Sequence, residues 1–301
     1  MTINDNSILM DLTDSLTVDL NISTWTARKM DKKVSEEIDA SKGTTSRAGN
    51  YHKHLLAGTQ KLEEIQKLVG EIRTWHYQNT VPWSDGGSRL LTMGIYFDYV
   101  QQLHAYETQF NQMVDEFFRD YPQLVSASAF TLGSLFDRSE YPEVEDIKRK
   151  FKFRYMFNPL PTSDQFERFK AGDAVKEQLA KQYEEHFQNK LNDAMKDLWT
   201  RLHETLSHMS TKLADAPEPR KMKDGEEKRA QIFRDSLITN AFDLCGLLTK
   251  LNVTQDPKLE EARKKLESAI SGITPKEVRE NDDVRQDVKA RVDEILSAFN
   301  F

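Results

Sequence analysis

A few short strings in the 301-residue chain hold residue types that could do chemistry. The string HETLSH sets His203, Glu204 and His208 close together, and a helical His-Glu-x-x-His can hold zinc with its glutamate as base. Here the histidines are five positions apart, which rotates them roughly 140° around a helix. One metal ion cannot take both, so they read as solvated histidines flanking an apolar stripe. His52 and His54, two apart in NYHKHLL, could share a metal only on an extended segment with further ligands elsewhere. An exposed basic turn is the simpler reading. His76, among the aromatics of TWHYQNT, reads as a packed or capping residue. Asp85 with Gly86 and Gly87 lacks the Lys-Ser/Thr that follows the glycines of a phosphate loop, and reads as a turn. Cys245, in FDLCGLL, reads as core, because a nucleophilic cysteine needs an exposed, electropositive setting. No catalytic residue, metal or cofactor is expected, and the chain reads as non-enzymatic.

The string IKRKFKFRYMF, residues 147–157, offers binding chemistry instead. Lys148, Lys150, Lys152 and Arg154 alternate with Arg149, Phe151, Phe153, Tyr155 and Phe157. Period-two alternation predicts a strand with one basic and one mostly aromatic face. The cations could follow a phosphate backbone while exposed aromatics stack on bases. Alternatively, the strand is half-buried and its basic face pairs with the chain's own carboxylates. Such a strand needs a partner, either the 14–22 stretch or another protomer.

Composition narrows the classes. A net charge of −7 argues against whole-protein affinity for nucleic acid and favours basic or neutral partners. With 38% hydrophobic and 30% charged residues, an elongated helical protein fits better than a deeply cored enzyme. The single cysteine excludes an intramolecular disulfide and a cysteine-rich zinc site, which points to a reducing cytoplasm. The first 25 residues carry Asp5, Asp11, Asp14 and Asp19 without Lys or Arg, unlike the basic start of a signal peptide. No apolar run approaches the roughly 20 residues that span a bilayer.

The elements that must position these residues are mostly helices. Residues 1–24 read as an N-terminal arm that packs on the body or on another subunit. A helix is predicted from Ser23 or Thr24 to about 38, another over 58–78, and a loop, TVPWSDGGSR, where Pro82 and the paired glycines interrupt. An aromatic helix follows over 93–120, broken at Pro122, then a shorter helix to Phe136 and another after Pro142. The dominant element is a helix over 173–213. Its stripe, Ala180, Tyr183, Phe187, Leu191, Ala194, Leu198, Leu202, Thr205, Met209 and Leu213, steps by 3, 4 and 4. That 11-residue repeat of about 3.67 residues per turn predicts a nearly straight spine, unlike the heptad of a left-handed coiled coil. A polar loop is expected at 215–225, then helices over 226–251, 256–271 and 281–298. The predicted fold is therefore mainly α, an elongated helical bundle around the 173–213 helix with at most a small β element near 148–157. Its regions are 1–24 (arm), 25–160 (aromatic helices ending in the basic strand) and 161–301 (long-helix bundle).

Taken as a set, NYHKHLL, TVPWSDGGSRLL with MGIYFDYVQQL, LFDRSEYPEVEDIKRKFKFRYMFNPLP, FRDSLITN and LLTKLNVTQDPKLEEARKKLE resemble an uncharacterised phage and prophage protein family across nearly the whole chain. The Pro-Trp-x-Asp-x-Gly turn before Arg-Leu-Leu is the most specific part, although Ser88 stands where the family has an aromatic. Members have no assigned activity, so the resemblance supplies no catalytic residues. They are often encoded near a MoxR-type AAA+ ATPase and a von Willebrand factor A protein, and sometimes near phage recombination genes. The resemblance implies an accessory or adaptor protein of the host bacterial cytoplasm that binds a protein partner, an AAA+ ATPase or von Willebrand factor A protein among the candidates. The expected interaction residues are Pro82, Trp83, Asp85, Gly86 and Arg89 in the turn, and Lys148, Lys150, Lys152 and Arg154 in the strand. The 215–225 loop and the arm are further expected contact elements. The alternatives are a DNA-metabolism accessory using the four cations and a self-assembling structural protein.

Overall fold

A computed structural model describes residues 15–160, 172–214, 220–221, 227–228 and 236–299. The fold is mainly α with a small antiparallel sheet, as the periodicities predict. The elements run β1 (Ser15–Ser23), β2 (Arg28–Asp31), α1 (Lys32–Lys42), β3 (Tyr51–His54), α2 (Lys61–Gln78), β4 (Val81–Pro82), β5 (Arg89–Thr92) and α3 (Met93–Leu132). After two short 3-10 turns come α4 (Val144–Lys148), β6 (Lys152–Pro159), α5 (Asp173–Ala214), the two-residue strands β7 (Arg220–Lys221) and β8 (Glu227–Lys228), α6 (Ser236–Leu251), α7 (Pro257–Ile270), α8 (Pro275–Glu280) and α9 (Asp282–Ala298). The main sheet has the order β4-β5-β1-β6, with Ser15 opposite Thr92 and Val18 opposite Arg89.

The basic strand thus exists, shifted to Lys152–Pro159, and its neighbour is the 14–22 stretch of the same chain. Residues 15–23 of the expected arm are an inner strand of the sheet, because Val18 and Ile22 are buried. Residues 1–14 of that arm, and the expected 215–225 loop apart from residues 220–221, lie outside the described residues.

The chain forms two compact units assembled from alternating segments: Met1–Val18, Asn79–Phe97 and Phe157–Phe301 in one, Asp19–Gln78 and Asp98–Met156 in the other. In the first unit α5 is the spine. Phe187, Leu191, Ala194, Leu198, Leu202, Leu206, Met209 and Leu213 are buried along it, so the predicted stripe is the packed face. Ala180, Tyr183 and Thr205 are half-buried. This face packs against α9, α6 and β4. The Thr92 hydroxyl donates to the Lys250 carbonyl at 3.0 Å, fastening β5 to the end of α6. Helix starts follow the expected punctuation: Asp256 caps α7 ahead of Pro257, and Thr274 with Glu277 forms a capping box around Pro275.

In the second unit α2 and α3 enclose a core containing Trp25, Ile65, Ile72, Phe110, Phe117, Tyr121, Ile147 and Phe151. Two predicted boundaries are corrected here. The helix expected from Ser23 starts at Lys32, capped by the Asp31 side chain, which accepts from the Val34 amide. Residues 28–31 instead pair with 51–54, and the Leu55 amide donates to the Ala27 carbonyl at 2.8 Å. Long-range strand pairing overrides the local helical spacing. The break expected at Pro122 is absent, since α3 runs through it. Proline removes one intrahelical hydrogen bond, while buried Phe117, Tyr121 and Val125 hold both flanks in the core.

Candidate interaction surface

The basic string folds differently from a four-cation strand. Lys148 ends α4, where its ammonium pairs with Glu145 at 2.7 Å and lies 6.0 Å from the centre of the Phe118 ring. Arg149 and Lys150 occupy the tight turn that follows, held by the Lys150 amide donating to the Ile147 carbonyl at 2.8 Å and the Ser23 hydroxyl donating to the Lys150 carbonyl at 3.0 Å. Only Lys152 and Arg154 alternate on β6. The acidic helix start Val-Glu-Asp carries the helix through Lys148, which ends the strand pattern early.

Beyond the turn the alternation is as predicted. Lys152, Arg154 and Met156 are exposed, whereas Phe153, Tyr155 and Phe157 are half-buried. Phe153 packs on Phe110 of α3 with ring centres 5.6 Å apart, and Phe151 lies 5.7 Å from Phe117. The Tyr155 hydroxyl is 3.0 Å from His104 Nε2. The aromatics are therefore spent on α3. Arg149, Lys150, Lys152 and Arg154 are all exposed, and among the described residues none of them makes an ion pair. They cluster around the start of β6 on a chain whose net charge is −7.

The turn at 81–91 is a hairpin packed inward. Trp83 is buried, edge-on to Phe187 at 5.3 Å between ring centres, with the Lys190 ammonium 5.9 Å from its own ring centre. Arg89 donates to the Thr80 hydroxyl at 2.7 Å and to the Thr80 carbonyl at 2.9 Å, and Arg201 of α5 donates to that carbonyl at 2.7 Å. Pro82 sits half-buried in β4. Trp83 anchors the hairpin to α5, and Arg89 is held by Thr80, whose carbonyl Arg201 of α5 also contacts. Asp85 and Gly86 stay at the exposed tip, where Gly87 takes a φ of 95° and its amide donates to the Ser84 carbonyl at 3.1 Å. The turn reading of Asp85-Gly86-Gly87 is the observed one.

Pattern reading missed Lys53. It lies between exposed His52 and His54 on β3 but is itself 5% exposed. Its ammonium is 2.7 Å from Glu140 and 3.2 Å from Asp31, and it donates to the Leu135 carbonyl at 2.8 Å. Burial pulls this ammonium's pKa down, but the hydrogen bonds and charges of Glu140 and Asp31 outweigh it and the net shift is upward. Asp31 is held below the usual carboxylate value, chiefly by the Val34 amide and then by Lys53. The exposed basic turn expected here is therefore a strand clamped by a buried cation.

His203 and His208 are exposed on α5, and His76 is buried with Nδ1 2.7 Å from the Tyr99 hydroxyl. Among the described residues no group of three or more His, Cys, Asp or Glu is placed to hold a metal ion. Cys245 is buried in α6, and desolvation pushes its thiol up to about 12. A neutral thiol reagent at about pH 8 should leave the folded protein unlabelled and modify one thiol after denaturation, because burial suppresses the thiolate. Rapid labelling of native protein, read by mass spectrometry, would contradict the buried placement. A shallow depression of about 700 Å³ lies along Lys67, Gly70, Glu71, Thr74, Trp75 and Tyr106, with Trp75 stacked on Tyr99 at 4.6 Å.

No helix among the described residues is long and apolar enough to cross a membrane. Comparisons of the chain with protein-family models, with curated proteins and with solved structures return no match.

Proposed function

We propose that the protein is a non-enzymatic accessory protein that acts by binding another protein. The carrying observation is the exposed cluster Arg149, Lys150, Lys152 and Arg154, without ion pairs among the described residues, two in a tight turn and two on the strand that follows, whose opposite face is packed on α3. Lys152 and Arg154 are displayed from a strand packed on α3, which suits recognition of a complementary surface. The AAA+ ATPase and von Willebrand factor A protein suggested by the sequence resemblance are the first partners to test.

The same cations support a second reading, sequence-independent contact with nucleic-acid phosphates. It is weaker, because Phe153 and Tyr155 are engaged by α3 and offer no platform for base stacking. Affinity purification of the tagged protein from its host, followed by native mass spectrometry, tests the choice. The expected result is a stoichiometric protein partner lost in the Lys152→Glu/Arg154→Glu variant. A monomer without a reproducible partner, or one that carries only nucleic acid, would overturn the first reading.

A further inference from the structure

We infer that the outer face of β6 is a receptor for an extended acidic segment of the partner protein, one with carboxylates at alternate positions followed by an apolar side chain. This rests on the protein-binding reading and adds the chemistry of the occupant. Alternate side chains of a strand point the same way, so Lys152, Arg154 and Met156 form one outward row: cation, cation, apolar. All three are exposed, Met156 by 61%.

Spacing and chemistry select the ligand. At about 3.3 Å per residue, Lys152 and Arg154 are rooted about 6.6 Å apart, the interval between alternate side chains of an extended peptide lying alongside. Two carboxylates at that interval meet both cations at once, and the Arg154 guanidinium can take its carboxylate in two parallel hydrogen bonds. Lys150 and Arg149, just before the strand, extend the positive potential toward the incoming chain. Met156 then separates peptide from nucleic acid. A flexible, polarisable thioether at the end of the row gains nothing from a phosphodiester backbone, yet it buries apolar surface against a leucine or similar side chain. The strand's aromatics face α3, so bases would find no stacking partner on this row.

The test uses the full chain and a fluorescein-labelled peptide in which Glu alternates with Thr and the last alternate position is Leu, followed by fluorescence anisotropy at about 50 mM salt, where screening is modest. Charge reversal by Lys152→Glu/Arg154→Glu should weaken binding at least about tenfold. Replacing the apolar end by Met156→Ser should weaken it by about threefold to tenfold, while leaving the affinity for a single-stranded oligonucleotide unchanged. Circular dichroism checks that each variant is folded; if charge reversal disrupts the strand, Lys152→Gln/Arg154→Gln takes its place. Absence of peptide binding overturns the inference, as does oligonucleotide binding tighter than the peptide's or peptide affinity indifferent to Met156. Failure of the peptide while the purified partner is still captured would sink this inference alone; loss of both would sink the protein-binding reading with it.

Discussion

Phe117→Ala is expected to lower the free energy of unfolding by about 4 kcal/mol, within the range for removing a fully enclosed aromatic ring. Phe117 is 0% exposed, and its ring centre lies 5.7 Å from Phe118, 5.9 Å from Tyr121 and 5.7 Å from Phe151. Truncation removes buried apolar area and also strands three rings that lose a packing partner, so the site cannot close without moving α3 or the residues before β6. Urea unfolding followed by circular dichroism reads the loss. Phe118→Ala, at a half-buried position on the same helix, should cost about half as much because less area leaves the core. Equal and small effects at both positions would contradict the packing described. Since Phe151 immediately precedes Lys152, Phe117→Ala should also weaken capture of the acidic peptide even where the protein stays folded.

Lys53→Ala should cost about 3 kcal/mol, toward the lower end for breaking a buried ion pair because both carboxylates keep some contact with water. The buried ammonium serves two carboxylates and a carbonyl, and its removal leaves Asp31 and Glu140 without their shared counter-ion and the Leu135 carbonyl without its donor. The pH dependence has a defined sign. Asp31 is depressed below 3.8 in the folded protein, so its contribution is present above that value and is lost as pH falls through the folded pKa. Lys53 is raised above 10.5, so its contribution is complete below that value and is lost as pH rises through the folded pKa. The stability gap between the wild type and Lys53→Ala should therefore be flat between these limits and narrow beyond both. Thermal melts extended below pH 3.8 and above pH 10.5 check it; a gap that narrows at neither extreme would exclude an electrostatic origin.

What could be read from the chain depended on how far apart the cooperating residues lie. The stripe from Phe187 to Leu213 was legible because a long helix repeats its apolar positions regularly, and the buried face coincides with it apart from Thr205, beside which Leu206 takes the core position. The inward aromatics and outward cations of β6 were legible for the same reason, at period two. Lys148 was misplaced because helix and strand patterns overlap where a short helix abuts a strand, and the acidic residues of α4 decide the matter locally. Trp83 looked like a display residue in a polar turn, while its partner Phe187 on α5 follows only from the tertiary fold. Lys53 was invisible for the same reason. Its counter-ions sit in β2 and in the 3-10 turn before Tyr141, and no local pattern ties a lysine between two histidines to either.

The interleaved segments dictate an order of manufacture. A ribosome completes the unit made of Asp19–Gln78 and Asp98–Met156 as soon as Met156 has emerged. The other unit then still lacks α5, α6, α7 and α9, although the strand residues it uses, Ser15–Val18 and Arg89–Thr92, were synthesised long before. Those early residues, Leu90 and Leu91 among them, must wait unburied for their helical cover, a nascent chain's typical window for chaperone capture. For the same reason no single scission of the polypeptide frees either unit whole, and a gene fragment ending near residue 160 encodes one complete core together with the orphaned strands of another.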